Sequence, residues 1–171
     1  MATSGLVRWG AIGLMLGGVT WLVLGLSAAL GYLDAIPGRE DVVLYIIAHL
    51  FTAGLVGFHT LQKESYSLLG KAGFYLALFA ITARILGAVV FLAGSSALER
   101  ISLPATLGML VGLVIYGVAT LRAGVLPRWY GLALIVSMPV TLPLSVYGTA
   151  LFGLIVVVLG YGLWLHRGAA T

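Results

Sequence analysis

Trp9-Gly-Ala-Ile-Gly-Leu-Met-Leu-Gly-Gly-Val-Thr-Trp-Leu-Val-Leu-Gly-Leu-Ser-Ala-Ala-Leu-Gly-Tyr-Leu33 contains no charged side chain. It exceeds the roughly 20 apolar residues an α-helix needs to cross a bilayer. Arg8 precedes it, as in a secretory signal, but a signal's apolar region spans only about 7–15 residues. The stretch therefore reads as a retained first span.

The rest of the chain repeats the pattern. Of its 171 residues 61% are hydrophobic and 8% charged, with a mean hydropathy of +1.15. A water-soluble domain carries roughly 25% charged residues to wet its surface. So few charges leave an apolar exterior whose solvent is lipid. Six segments are expected to span: 9–33, 42–62, 71–94, 101–122, 129–146 and 148–165. The expected fold is all-α, one polytopic transmembrane helical bundle over residues 1–171, partnered by the lipid bilayer. The last break is the weakest, with only Tyr147-Gly148 between the two segments. A five-span alternative makes 129–146 a re-entrant or broken segment, since Pro139 and Pro143 interrupt it.

Charge sets the orientation. With the N-terminus inside, the cytoplasmic segments hold Arg8, Lys63, Lys71, Arg122, Arg128 and Arg167, and the outer loops only Arg39 and Arg100. Basic residues gather on the cytoplasmic side of spans, so both termini are expected in the cytoplasm, in a multi-pass protein of the cell membrane. Four of the five acids (Asp34, Glu40, Asp41 and Glu99) fall in the outer loops. Trp9, Trp129 and Trp164 fall at inner interfaces, where an indole is half wet. The net charge of +4 belongs to this pattern. No basic cluster with interleaved aromatics points to nucleic acid. Leu6-Val-Arg8-Trp9 and Leu126-Pro-Arg128-Trp129 share an L-x-R-W start. An internal repeat explains it less simply than the cation and aromatic that any span wants where it leaves the cytoplasm.

Small and polar residues reveal the inward faces, because hydrophobicity cannot distinguish lipid from protein interior. Gly10, Gly13, Gly17, Thr20 and Gly31 form one such face, and Gly108, Gly112 and Ala119 another. In the second span Tyr45, His49, Thr52, Val56, His59, Thr60 and Lys63 share an arc of about 100°. A polar stripe of that length faces the bundle, a water-filled cavity or another subunit rather than lipid. Arg84 lies near the middle of the third span, among Gly73, Ala77, Ala80, Gly87, Ala88 and Ser95. A central Arg costs about 2.5–3.5 kcal/mol on insertion scales, and no Asp or Glu lies in any expected span to offset it.

Three readings of Arg84 follow, one of them a partner for it on another subunit. It anchors a ligand in a cationic pocket with Tyr45, His49, Thr52 and His59, suited to a carboxylate, a phosphate headgroup or a quinone carbonyl. Otherwise it ties the bundle together, bonding carbonyls of Ile135 and Pro139 that Pro139 and Pro143 leave unpaired. Ser137, Thr141 and Ser145 are expected to satisfy others.

Other chemistries find little footing. There is no cysteine, which excludes disulfides, thiolate zinc sites and cysteine nucleophiles. No G-x-S-x-G or H-E-x-x-H occurs, and no catalytic or metal-ligating set is expected. Haem b would need a second axial ligand, which leaves a His59–His166 pair as the one arrangement to consider; no cofactor is expected. Asp34, Glu40 and Asp41 read as a solvated acidic loop. The expected function is binding or transport of a small anionic or amphipathic molecule. An accessory subunit of a membrane complex, a homo-oligomer, and a haem-bound electron carrier or membrane enzyme are the alternatives.

Overall fold

The computed structural model describes residues 2–32, 39–95 and 97–166. Asp34 and Arg167, and the side chains of Arg39, Glu40 and Glu99, lie outside the described residues, and with them most of the acidic loop.

Every element among the described residues is helical. They are α1 (Ala2–Ala29), α2 (Arg39–Thr52), α3 (Val56–Gln62), α4 (Leu68–Leu92), α5 (Ala97–Ala123), α6 (Arg128–Thr141) and α7 (Ser145–His166). A 3-10 turn at Ala53–Leu55 joins α2 to α3, and another at Leu142–Leu144 joins α6 to α7. Five stretches are long and apolar enough to cross a membrane: Gly5–Ala29, Asp41–Gln62, Leu68–Leu92, Arg100–Ala123 and Arg128–His166. Residues 128–166, expected as two spans, thus fall in one qualifying stretch made of α6, a 3-10 turn and α7.

That stretch folds back on itself. Ser145 holds φ 51 and ψ −124, the one positive φ outside glycine among the described residues. Tyr130 Oη, in the first turn of α6, lies 3.0 Å from His166 Nδ1 at the end of α7. At the other end, a Cβ on Gly148 would meet the Thr141 carbonyl. α6 and α7 therefore run antiparallel, with Ser145 at the bend.

Helix ends follow from local chemistry. Gly31 (φ +75) closes α1, with its N–H donating to Ala28 O and that of Tyr32 to Ser27 O. Gly94 (φ +90) closes α4 the same way, through Phe91 O and Val90 O. Only a residue without Cβ takes that left-handed position cheaply, and these bonds satisfy carbonyls the helix leaves open. Gly31, expected on the packing face of the first span, is thus a helix stop with open space beside it. Thr20 likewise donates back to Leu16 O within α1 instead of reaching a neighbour.

Sequence neighbours pack as spatial neighbours around a closed ring: α1 on α2 and α3, α2 on α4, α4 on α5, α5 on α6, α6 on α7, and α7 back on α1. Small residues set the spacing. A Cβ on Gly10 would fall 2.7 Å from Gly54 O, so α1 and the 3-10 turn meet backbone to backbone. Gly18 meets Gly153 and Val157 of α7, and Gly73 meets Gly112 and Tyr116 of α5. Inside the ring, Leu14, Leu55, Phe58, Leu134, Leu159 and Leu163 are buried. Outside it, Leu26, Phe79, Leu107, Leu132, Val158 and similar side chains are exposed, the reverse of a surface built for water.

Candidate functional site

Arg84 sits about 12 Å of helix short of α4's last residue, Leu92. Its Nε donates to the Tyr45 hydroxyl and its Nη1 to Thr106 Oγ1. The guanidinium carbon also lies 5.2 Å from the Tyr45 ring centre. Tyr45 belongs to α2 and Thr106 to α5, so the two neighbours of α4 hold its one arginine between them. The Thr106 hydroxyl in turn donates to Ser102 O at 2.7 Å. The expected partners, the carbonyls of Ile135 and Pro139, do not hold Arg84. Nor do Ser137 and Thr141 bond those carbonyls: they donate to Leu134 O and Ser137 O, the acceptors within reach of a hydroxyl on its own helix.

Beside Arg84 is a cavity of about 250 Å³. His49, Arg84, Thr106, Thr141, Ser145 and Thr149 give it polar walls, while Trp21, Met109, Met138 and Phe152 give it apolar ones. Among the described residues no carboxylate lines it. The bend between α6 and α7 forms one side, through Thr141, Leu142, Ser145, Gly148 and Thr149. α6 has 14 residues and its 3-10 turn three, so together they reach only about 25 Å, short of a hydrocarbon core of roughly 30 Å. Toward the end of the bundle that carries Lys63, Arg122 and Arg128, the ring closes. Leu14, Leu55, Leu113, Leu134 and Leu159 line a remnant of about 10 Å³ there, too small for a ligand.

His49 is buried and stands 4.2 Å, ring centre to ring centre, from Tyr45 and 4.8 Å from Trp21. Its Nδ1 lies 2.9 Å from Tyr45 O. A carbonyl only accepts, so Nδ1 carries the proton and Nε2 is the acceptor of the neutral ring. Trp21 Nε1 donates to Thr52 Oγ1 at 3.1 Å, and Thr52 in turn donates to Ala48 O at 2.7 Å.

The five residues expected to form one lining divide into three groups. Arg84 and His49 face the cavity, and Tyr45 holds Arg84 in place. Thr52 sits behind them, committed to Trp21 and to its own helix. His59 stands about 15 Å further along the bundle, past the leucine plug. There its Nδ1 shares a hydrogen bond with the Tyr66 hydroxyl, and its ring stacks on Phe74 at 4.1 Å and 16°. The shared arc was a statement about rotation, and the axial distance separates His59 from the site.

His166 is engaged elsewhere, 3.0 Å from both Tyr130 Oη and Gly162 O. Among the described residues no group of three or more His, Asp or Glu gathers as metal ligands do. Trp21 and Thr106 are contributors that sequence reasoning passed over. Trp21 carried a signal: an indole in mid-span needs a partner for its N–H. Thr106 carried none beyond a hydroxyl one span away. Set against known protein families, curated proteins and solved structures, the chain matches none of them.

Proposed function

We propose that the chain is a six-span protein of the cell membrane, with both termini in the cytoplasm, that binds or carries a small anionic or amphipathic molecule at Arg84. The observation that carries this reading is a cavity walled by an arginine, a histidine and four hydroxyl side chains, with no carboxylate lining it among the described residues. Holding a half-buried cation inside a bundle without a counter-charge is costly, and an anionic ligand supplies the missing charge. The antiparallel pairing of α6 with α7 supports counting residues 128–166 as two short crossings. The distribution of Lys and Arg supports the orientation.

Both halves are open to test. The chain has no cysteine, so a single Ser65→Cys reports sidedness without background. A membrane-impermeant maleimide added outside intact cells should leave it unlabelled, and labelling there would reverse the topology. Native mass spectrometry in a mild detergent should show a co-purified small molecule or lipid that is lost in Arg84→Gln. A bare chain of single stoichiometry, identical in the variant, would make Arg84 a structural residue.

A further inference from the structure

Arg84 offers five N–H donors. Tyr45 and Thr106 take one each, which leaves three on Nη1 and Nη2 for whatever enters. That fork matches the two oxygens of a carboxylate. Among the described residues no second Lys or Arg lines the cavity. One negative charge neutralises the site, whereas a dianion would leave a net charge buried in a low-dielectric space.

The remaining walls set the rest of the molecule. Trp21 and Phe152 meet edge to face, with ring centres 5.9 Å apart. Met109 and Met138 add two thioethers, flexible and polarisable groups that adapt to an apolar guest. The volume of about 250 Å³ lies below the roughly 300–1,000 Å³ typical of sites for drug-sized ligands. The leucine plug stops any longer chain from passing.

We infer that the cavity selects a small monocarboxylate with a compact apolar body, the carboxylate held by the free N–H donors of Arg84 and the body against Met109, Met138 and Phe152. This rests on the ligand-site reading above and narrows it: inorganic phosphate and dicarboxylates are excluded as good ligands. Access is past the bend at Ser145, because the opposite direction is closed by the plug.

Calorimetric titration of the protein in lipid nanodiscs tests it, using benzoate, hexanoate, methyl benzoate, succinate and inorganic phosphate. Benzoate and hexanoate should bind at least tenfold tighter than succinate, phosphate or the uncharged ester, and Arg84→Gln should abolish binding. Arg84→Lys, which keeps the charge but loses the fork, should weaken benzoate at least tenfold and serves as the check if Arg84→Gln fails to fold. Tighter binding of phosphate or succinate, lost in Arg84→Gln, would overturn the monocarboxylate assignment while the anion site stands. An uncharged ester that binds as well as benzoate, or no heat from any of the five compounds, would overturn the site reading as well.

Discussion

The two ends of the α2–α3 span each place a histidine beside a tyrosine, and the two pairs do different work. Near one end His49 leans on Tyr45, whose hydroxyl receives Arg84, and the space next to them is left open. Near the other end His59 shares a hydrogen bond with Tyr66 and stacks on Phe74, with Tyr75 tilted beside it and Tyr116 packed edge-on to Tyr66. The residue types are alike. What differs is the packing of the histidine itself: aromatic rings surround His59, while His49 and Arg84 line a cavity beside the short α6–α7 hairpin. A polar side chain inside a bundle therefore marks a ligand site only where the packing around it is incomplete.

Four substitutions test that contrast. The largest effect is expected from Arg84→Gln, which should cut affinity for an anionic ligand at least a hundredfold, about 2.7 kcal/mol or more, with the helical content unchanged by circular dichroism. Loss of the fold would instead assign Arg84 to architecture. Gly10→Val should strike the packed end, since its Cβ would fall 2.7 Å from Gly54 O and Gly57 Cα. Forcing those backbones apart costs about 1–3 kcal/mol, read as a lower midpoint of thermal unfolding in detergent; an unchanged midpoint would show that the crossing is loose.

Tyr66→Phe removes the partner of His59 and should cost about 1 kcal/mol while leaving anion binding at the other end untouched. A fall in binding would join the two ends into one site. Tyr66 also brings a pH signature. Burial pushes its phenol up to about 12, above the ordinary tyrosine value of about 10. The folded state then holds the proton more tightly than the unfolded chain, so this contribution is complete below pH 10 and is lost as pH rises toward about 12. Tyr66→Phe should flatten the alkaline decline in unfolding midpoint over that window; an equal decline in the variant would place the titrating group elsewhere. The smallest effect is expected at the bend. Ser145→Gly relieves a positive φ that costs a residue with a side chain about 1 kcal/mol or more, and should raise the midpoint slightly; a lower midpoint would mean that the Ser145 hydroxyl contributes more than its backbone costs.

Much of this was legible in the sequence. Long uncharged runs gave the helices, and the small residues of α1, α4 and α5 gave faces that do pack on neighbours: Gly10 and Gly17 on the second helical stretch, Gly73 and Ala77 on Gly112. Gly31 was misleading, because the same residue type serves close packing and helix termination, and only φ separates the two. The six expected crossings became five qualifying stretches because the 3-10 turn at Leu142–Leu144 joins α6 to α7 with no non-helical or charged residue between them. The site was half legible. Arg84 and His49 stood out as polar groups in an apolar setting. Thr106 and the Ser145 bend did not, since their contribution depends on which helices become neighbours, and a helical wheel does not encode that. Thr52 and His59 matched the stripe but not the cavity, because angular position says nothing about depth.

The central claim is that the cavity beside Arg84 is open and favours anions. A single Thr149→Cys, placed on the cavity wall of a chain with no other cysteine, measures this without knowing the ligand. Its reaction rate with a sulfonate-bearing methanethiosulfonate is compared with that of the trimethylammonium analogue of similar size, in the Arg84 and Arg84→Gln backgrounds. The account predicts at least a tenfold preference for the anionic reagent, erased by Arg84→Gln. Equal rates, a preference for the cation, or a thiol that neither reagent reaches would contradict it.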